Sequence, residues 1–392
     1  MKHPADSDRL LFVHEKNPIH RVSEAVRLRL GRAQQVNITK AFGSAATLLA
    51  NVLDELKLKV SVPPTLTKEP VQYLADMPYS DLGALMVDLL RSAGIPEDAV
   101  RLQAVAVAQR LHLLRAFEYP DKVVERITKK IADIVVTFPR TAKDIECGRN
   151  PGDVLDPYIL AATQILLHGG DFTSAIATTV GHKALMIIEG LLGHLHEDVL
   201  GEMRGNVRVP EPRGVHQEML DLETNPFPGA DIVQPPYDAE GTLRFHQVKS
   251  KTGSAKGGDG RRLGEQLKRL RDYYGGEIYY DALIGNTLRG HRSRKGVERA
   301  APGVAVLVGD AAFKELTHSS IGPQLLLRVY QAAFQQVAAN SGYRVEMMSD
   351  SIVAAFKSRA EAFGDTIMET ILDSAIKGDP KQQDSRLQQK QK

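Results

Sequence analysis

Asp231, Gln247 and Lys249 are the side chains whose types and spacing could together do chemistry. Asp231 stands in PGADIV, a short apolar run after a Pro-Gly turn, and Gln247 and Lys249 stand in FHQVKS. Positions i and i+2 of a strand face the same side. Gln247 and Lys249 therefore share a face with Leu243 and Phe245, and that face begins apolar and ends polar. Val248 lies on the opposite face, where it can enter a core. The intervening PPYDAEG suits a turn. Two adjacent strands would then bring Asp231, Gln247 and Lys249 together at one end of a sheet.

Such a set suits phosphodiester hydrolysis. A carboxylate and an amide oxygen can hold Mg²⁺, a hard ion that prefers oxygen ligands. The metal would acidify a bound water and neutralise charge building on the phosphate. The lysine would orient or deprotonate the attacking water and stabilise that charge. The competing reading is a glutamine and a lysine on an exposed strand end near an unrelated aspartate.

The surroundings are basic. Residues 241–300 hold 14 Lys and Arg against 6 Asp and Glu, a net of +8, in a chain whose total is only +2. Lys251, Lys256, Arg261 and Arg262 surround the glycine-rich TGSAKGGDG, where a backbone could approach an anion closely. No GxxxxGK[ST] loop is present. Arg289, Arg292, Arg294, Lys295 and Arg299 form a second cluster, expected in a loop between two strands. That loop either grips DNA or is simply solvated. Asn286, His291 and Ser293 beside it are polar enough to read base edges.

The stretch PGADIV…FHQVKSKTGSAKGGDGRRLGEQLKRL resembles the core of the PD-(D/E)XK nuclease superfamily, in the Q-x-K form found among type II restriction endonucleases. The resemblance covers roughly residues 181–312. It implies that Asp231 is the metal-binding aspartate, that Gln247 occupies the Glu/Gln position and that Lys249 is the lysine. The carbonyl of Val248 would complete the metal shell. Ala230 stands where the family carries proline, with Pro228 two residues further back. Many such enzymes add a glutamate from a helix packed on the sheet, and here Glu197 and Glu189 are the candidates. On a helical wheel Leu185, Ile188, Leu191, Leu192, Leu195 and Val199 make an apolar stripe. Glu197 lies opposite, in line with Gly190, Gly193 and Gly201. Three glycines on one helical face point to a close neighbour such as a sheet, which favours Glu197. The plainer reading leaves both as surface acids.

The resemblance implies a Mg²⁺-dependent, sequence-specific endonuclease acting on double-stranded DNA. Cutting both strands of a symmetric site takes two active sites, which a homodimer supplies. Such an enzyme works beside a cognate DNA methyltransferase. The rival readings are another nuclease of the superfamily, in repair or junction resolution, and a non-catalytic nucleic-acid-binding protein.

The elements that must position this site follow from the rest of the chain. With 392 residues, 43% apolar and 25% charged, it is an ordinary globular sequence. No run of 18 apolar residues is present, so no membrane span is expected. MKHPADSDRLLFVHEKNP lacks the apolar segment of a secretory signal. Cys147 is the single cysteine, which leaves no intrachain disulfide or cysteine zinc site and suits a reducing cytoplasm. No H-E-x-x-H or G-x-S-x-G occurs.

Residues 1–200 read as helical, starting with an amphipathic run capped at Ser23. SDLGALMVDLLRSAG would be capped at Ser80 and stopped at Gly94, and the helix through GHKALMII would break near Gly181. NVRVPEPRG reads as loop. LRFHQVKS, EIYYDALIGN and GVAVLVGD read as strands, the first two joined by the helix RRLGEQLKRLRDYY. Tyr273, Tyr274, Tyr279 and Tyr280 are expected to pack rather than stack on bases. The expected fold is α/β: a restriction-endonuclease-like mixed sheet flanked by helices, preceded by a mostly helical region. The expected divisions are 1–170 helical, 171–375 nuclease and 376–392 a polar disordered tail.

Overall fold

The computed structural model describes residues 24–135, 156–209, 226–236, 241–251, 259–285 and 293–341, with the single positions 350 and 354. Cys147 and the polar tail lie outside them. The longer helices are α1 (Glu24–Gln35), α2 (Ala45–Glu55), α3 (Tyr79–Ser92), α4 (Glu97–Ala116), α5 (Pro120–Val135) and α6 (Phe172–Glu202). Beyond them come β1 (Val207–Arg208), β2 (Ile232–Gln234), β3 (Arg244–Lys251), α7 (Asp259–Tyr274), β4 (Glu277–Ile284), α8 (Arg294–Ala300), β5 (Ala305–Val308), α9 (Asp310–Thr317) and α10 (Gly322–Ser341).

The protein is a mixed α/β chain with two compact units, Met1–Glu125 with Gly193–Ala332, and Arg126–Leu192 with Ala333–Lys392. The first contains a helical layer whose core includes Leu48, Leu49, Val52, Met86, Leu90 and Leu111. It also contains a five-stranded sheet in the order β1-β2-β3-β4-β5. β1, β2 and β3 pair antiparallel, while β3, β4 and β5 pair parallel. The parallel pairs need crossovers, which α7 and α8 supply. In the second unit, Asp156 caps the short helix Pro157–Ala162 by accepting from the Tyr158 and Ile159 N–H groups. Ile165, Leu166 and Leu167 of that unit are exposed.

Local chemistry departs from the expected helices in identifiable ways. The run expected to begin at Ser23, which lies outside the described residues, is three helices rather than one. Asn37 and Ser44 turn their side chains onto the N–H groups of Thr39 and Thr47 and so start new helices. α3 begins after Pro78 rather than at Ser80, whose hydroxyl donates to Asp81. Pro78 presets the entry backbone. α6 runs unbroken through Gly181, because each of its interior glycines costs only about 1 kcal/mol, spread over a 31-residue helix. Within NVRV, Val207 and Arg208 are strand rather than loop, paired to Val233 and Ile232.

β3 alternates as expected, but both of its faces are covered. On one face Leu243 and Phe245 join Leu263, Leu267 and Tyr274 of α7 and Tyr280 of β4. Phe227, Phe245 and Tyr274 pack with ring centroids 5.3–5.6 Å apart, and the Tyr274 hydroxyl donates to the Pro226 carbonyl. Tyr274 and Tyr280 are thus core residues, and Tyr279 stacks on His246.

The other face buries a polar chain. His246 Nδ1 lies 2.9 Å from Asp281 Oδ2, and its Nε2 lies 3.2 Å from Gln234 Oε1. Gln234 Nε2 donates to Asn206 Oδ1 and to the Leu316 carbonyl, so Oε1 is the atom that faces the ring. The imidazole therefore donates from Nε2 and shares one proton with Asp281 at Nδ1. Burial lowers the His246 pKa to about 3 and raises the Asp281 carboxyl well above its ordinary value. Asp281 holds the proton, and both groups are neutral.

This arrangement predicts an unusual pH profile. Between the ordinary values of 3.8 and 6.5, the unfolded chain keeps the proton on histidine and the folded chain keeps it on Asp281, so this pair adds no slope. Above pH 6.5 only the folded chain retains it, and stability should fall by up to ~1.4 kcal/mol per pH unit. Asp281→Asn keeps an N–H donor to Nδ1. It should remove that loss and acquire a new one as pH falls below 6.5, where only the unfolded chain protonates His246. Denaturant unfolding across this range checks it, and an identical slope in the variant would contradict the neutral pair.

Candidate active site

The polar end of the α7-facing side of β3 lies at the carboxyl end of that strand. Continuing the β2–β3 register by one residue beyond Ile232↔His246 sets Asp231 opposite Gln247. Asp231 Oδ2 accepts from Gln247 Nε2 at 2.5 Å and from the Val248 N–H at 2.7 Å. Asp231 and Gln247 are nearly inaccessible, at 9% and 4%. Lys249 lies one pleat further along, half-buried, beside Ala282 of β4. It makes no ion pair with the described residues. The structure therefore brings Asp231 and Gln247 into contact and sets Lys249 on the same face.

The turn before Asp231 depends on Gly229, with φ +88°, where a side chain would collide with Gln266 of α7. The residue between glycine and aspartate is Ala230, which is buried against the same core. In an extended strand a residue's N–H and C=O leave on the same edge. The Val248 N–H points at Asp231, so its carbonyl also leaves towards that edge.

Glu197 reaches this region through Arg208, a residue outside the sequence motif. Arg208 Nη2 donates to Glu197 Oε2 at 2.7 Å, and Nε donates to Asp198 Oδ1 at 3.1 Å. Nη1 donates to the main-chain carbonyls of Asp231 and Val209. One guanidinium thus ties two acids of α6 to the backbone of Asp231. Arg208 stands in a proline-rich segment of loop-like composition, where the Val-Arg-Val alternation is the sequence signal of a short strand. Glu189 is exposed and belongs to the second unit. Leu195 and Val199 of the expected stripe are buried, whereas Leu185 is 60% exposed. Of the three aligned glycines, Gly201 makes the expected close approach. A Cβ there would stand 2.5 Å from Arg208 Cβ, while at Gly193 it would meet nothing within 4 Å.

The basic residues are spread over helices. Arg294 and Lys295 begin α8 instead of lying in a loop. Arg294 pairs with Glu298 and Arg261 with Glu265, each one turn away; Lys295 is exposed. Ser293 is buried, at 3%, and cannot reach a base edge. Arg261, Lys268, Arg269 and Arg299 line a groove of about 700 Å³ between α7 and α8, with Glu265 and Asp272 among them. Lys256, Arg289 and Arg292 lie outside the described residues, as does the side chain of Lys251, although its backbone ends β3.

With the Gln247 amide turned over, the Asp231 carboxylate, the Gln247 amide oxygen and the Val248 carbonyl would offer oxygen donors only, a chemistry that fits Mg²⁺ rather than zinc. Gln247 now turns its nitrogen to Asp231, and its Oε1 takes no hydrogen bond from the described residues. Among the described residues no three His, Cys, Asp or Glu side chains gather as a metal cluster. Compared with protein-family models and with curated proteins, the sequence finds no match. No helix among the described residues is long and apolar enough to cross a membrane.

The glycine contacts predict opposite outcomes for one substitution at two positions. Gly201→Ala must push Arg208 aside and should cost about 1–3 kcal/mol. Gly193→Ala meets open space and should stabilise the helix by about 0.5–1 kcal/mol. Denaturant unfolding of both variants measures this, and equal effects would refute a specific contact between α6 and β1.

Proposed function

We propose that this chain is a Mg²⁺-dependent endonuclease of the restriction type that hydrolyses both strands of double-stranded DNA. The observation that carries the reading is the meeting of Asp231 and Gln247 across β2 and β3, with Lys249 on the same face at the carboxyl end of β3. Carboxyl ends of strands in open α/β sheets are where ligands collect. The mixed sheet flanked by helices suits the restriction-endonuclease-like core that the motif resembles.

When bound, Mg²⁺ would supply Lewis acidity to the scissile phosphate. Asp231 contributes the single formal negative charge of the proposed oxygen set, so the phosphate itself must complete the charge balance. Lys249 orients or deprotonates the attacking water and offsets charge developing on the phosphate. Arg208 acts one step back: it fixes the main chain of Asp231 and holds Glu197 near it. The α7–α8 groove, with four cations against two acids, tracks the DNA backbone. A homodimer would present two such sites to a symmetric sequence, with a cognate methyltransferase protecting the host DNA. One observation favours the rival reading of a binding protein. The Val248 N–H and the Gln247 amide already clasp Asp231, as a purely structural strand end would.

Lys249→Ala separates the two readings. It should lower plasmid cleavage by at least about 10³-fold and leave DNA affinity within about tenfold. Gln247→Leu should be inactive, while the parent should bind DNA in EDTA and cut only when Mg²⁺ or Mn²⁺ is added. Near-normal cutting by Lys249→Ala, or cutting by the parent in EDTA, would remove the assignment.

The groove gives a separate prediction. Replacing Arg261, Lys268 and Arg299 together with glutamine should weaken DNA binding and reduce the salt slope by about three units. An unchanged slope would show that the groove does not meet phosphates.

A further inference from the structure

A second polar cavity lies at the other end of β2 and β3 from Asp231, where Pro235 and Pro236 follow β2 and Arg244 begins β3. It holds about 250 Å³ and is lined by residues that include Arg115, Arg204, Arg244, Lys40, Asp76 and Gln34. The three arginines are buried, at 7%, 8% and 6%. Arg115 pairs with Asp76 at 2.8 Å, and Arg244 pairs with Glu315 at 3.2 Å. Arg204 forms no ion pair with the described residues. Its Nε and Nη1 donate to the carbonyls of Leu114 and Val36, at 3.0 and 3.5 Å.

Carbonyls offer no net charge, and a buried cation without a counter-charge is costly. Burial draws the Arg204 pKa down to about 10 against the pull of Glu118, and Arg115 adds repulsion. Arg204 is nevertheless cationic at neutral pH. His318 also lines the cavity but is neutral there: burial, reinforced by Arg244, His246 and Arg115, holds its pKa at about 3. Lys40 is exposed and makes no ion pair with the described residues. Arg204 and Lys40 therefore leave two surplus positive charges. Gln34 adds a directional requirement. Its Nε2 donates to the Pro236 carbonyl at 2.6 Å, while its buried Oε1 accepts from none of the described residues.

We propose that this cavity binds a small phosphomonoester bearing a hydroxyl or amine, with Arg204 on the phosphate and Gln34 Oε1 accepting from the donor. A phosphomonoester carries about −1.5 to −2 at pH 7, which matches the surplus. Guanidinium groups suit phosphate oxygens because they donate in parallel pairs. The cavity is near the lower limit of ordinary ligand pockets, about 300 Å³, so the ligand is a compact free molecule and not a duplex. This inference does not rest on the nuclease reading.

The test is calorimetric titration of the full chain with ribose 5-phosphate, inorganic phosphate and ribose. Ribose 5-phosphate should saturate one site per chain, inorganic phosphate should bind more weakly, and ribose should not bind. Arg204→Met should lower affinity for both phosphates by at least about tenfold, the loss expected for one charge-assisted hydrogen bond. Gln34→Leu, at a partly exposed position, should weaken ribose 5-phosphate and leave inorganic phosphate unchanged. Lys40→Ala, at an exposed position, should weaken both, so the proposal stays testable if Arg204→Met fails to fold. It is overturned if no phosphate saturates the parent at about 10 mM, or if Gln34→Leu and Lys40→Ala leave every affinity unchanged. It is also overturned if a folded Arg204→Met binds as the parent does. Competition by a 5′-phosphorylated oligonucleotide, but not its unphosphorylated form, would place the phosphate on a nucleic-acid end and overturn the assignment of a free ligand.

Discussion

Arg208 joins the helix that carries Glu197 to the strand end that carries Asp231. Its guanidinium donates to two carboxylates of α6 and to the main-chain carbonyl of Asp231. Planar, fixed donors allow one residue to do this, which a lysine could not. The geometry also requires that α6 come within backbone distance of β1, and Gly201 permits that approach. A methyl group at Gly201 would move the arginine, and with it the turn that aims Asp231 at Gln247. The candidate site therefore depends on a contact made by residues outside its own motif.

β3 separates two uses of buried polarity. On the α7 face, Gln247 and Lys249 leave a polar strand end beside Asp231. On the opposite face, His246, Asp281 and Gln234 satisfy one another in their neutral forms. Burial pushes a histidine and a carboxyl in opposite pKa directions, and both directions remove charge. A neutral chain of hydrogen bonds can stay inside a sheet, whereas a charged one would need a counter-ion or water. Lys249 keeps partial access to solvent instead.

The arginines follow the same logic. Arg115 and Arg244 are buried beside carboxylates, whereas Arg204 is buried against carbonyls alone among the described residues. A matched cation stabilises packing; one matched only by dipoles retains attraction for an anion. The α7–α8 groove is the open counterpart, where cations line a surface that water already screens. The two places suit different anions: a compact one in the cavity and an extended one in the groove.

Much of the sheet was legible in the residues themselves. Alternation in FHQVKS set the faces of β3, the runs EIYYDALI and AVLV became β4 and β5, and the glycine turn before Asp231 placed it beside Gln247. These are local signals, in which side-chain period and turn chemistry act over a few residues. The caps at Asn37 and Ser44 were equally local, yet they were hidden inside a continuous apolar pattern. Arg208 as a clasp, His246 bonded to Asp281, and Arg204 beside an anion-sized cavity could not be read in this way. Their partners lie tens of residues apart, or 90 and more for Arg204. Strand register and helix packing choose those partners, and a one-residue slip in register would turn each strand side chain to the other face. Residue types and their alternation already place Gln247 and Lys249 on one polar strand end, whereas the charges that are matched there and elsewhere follow from packing between distant segments.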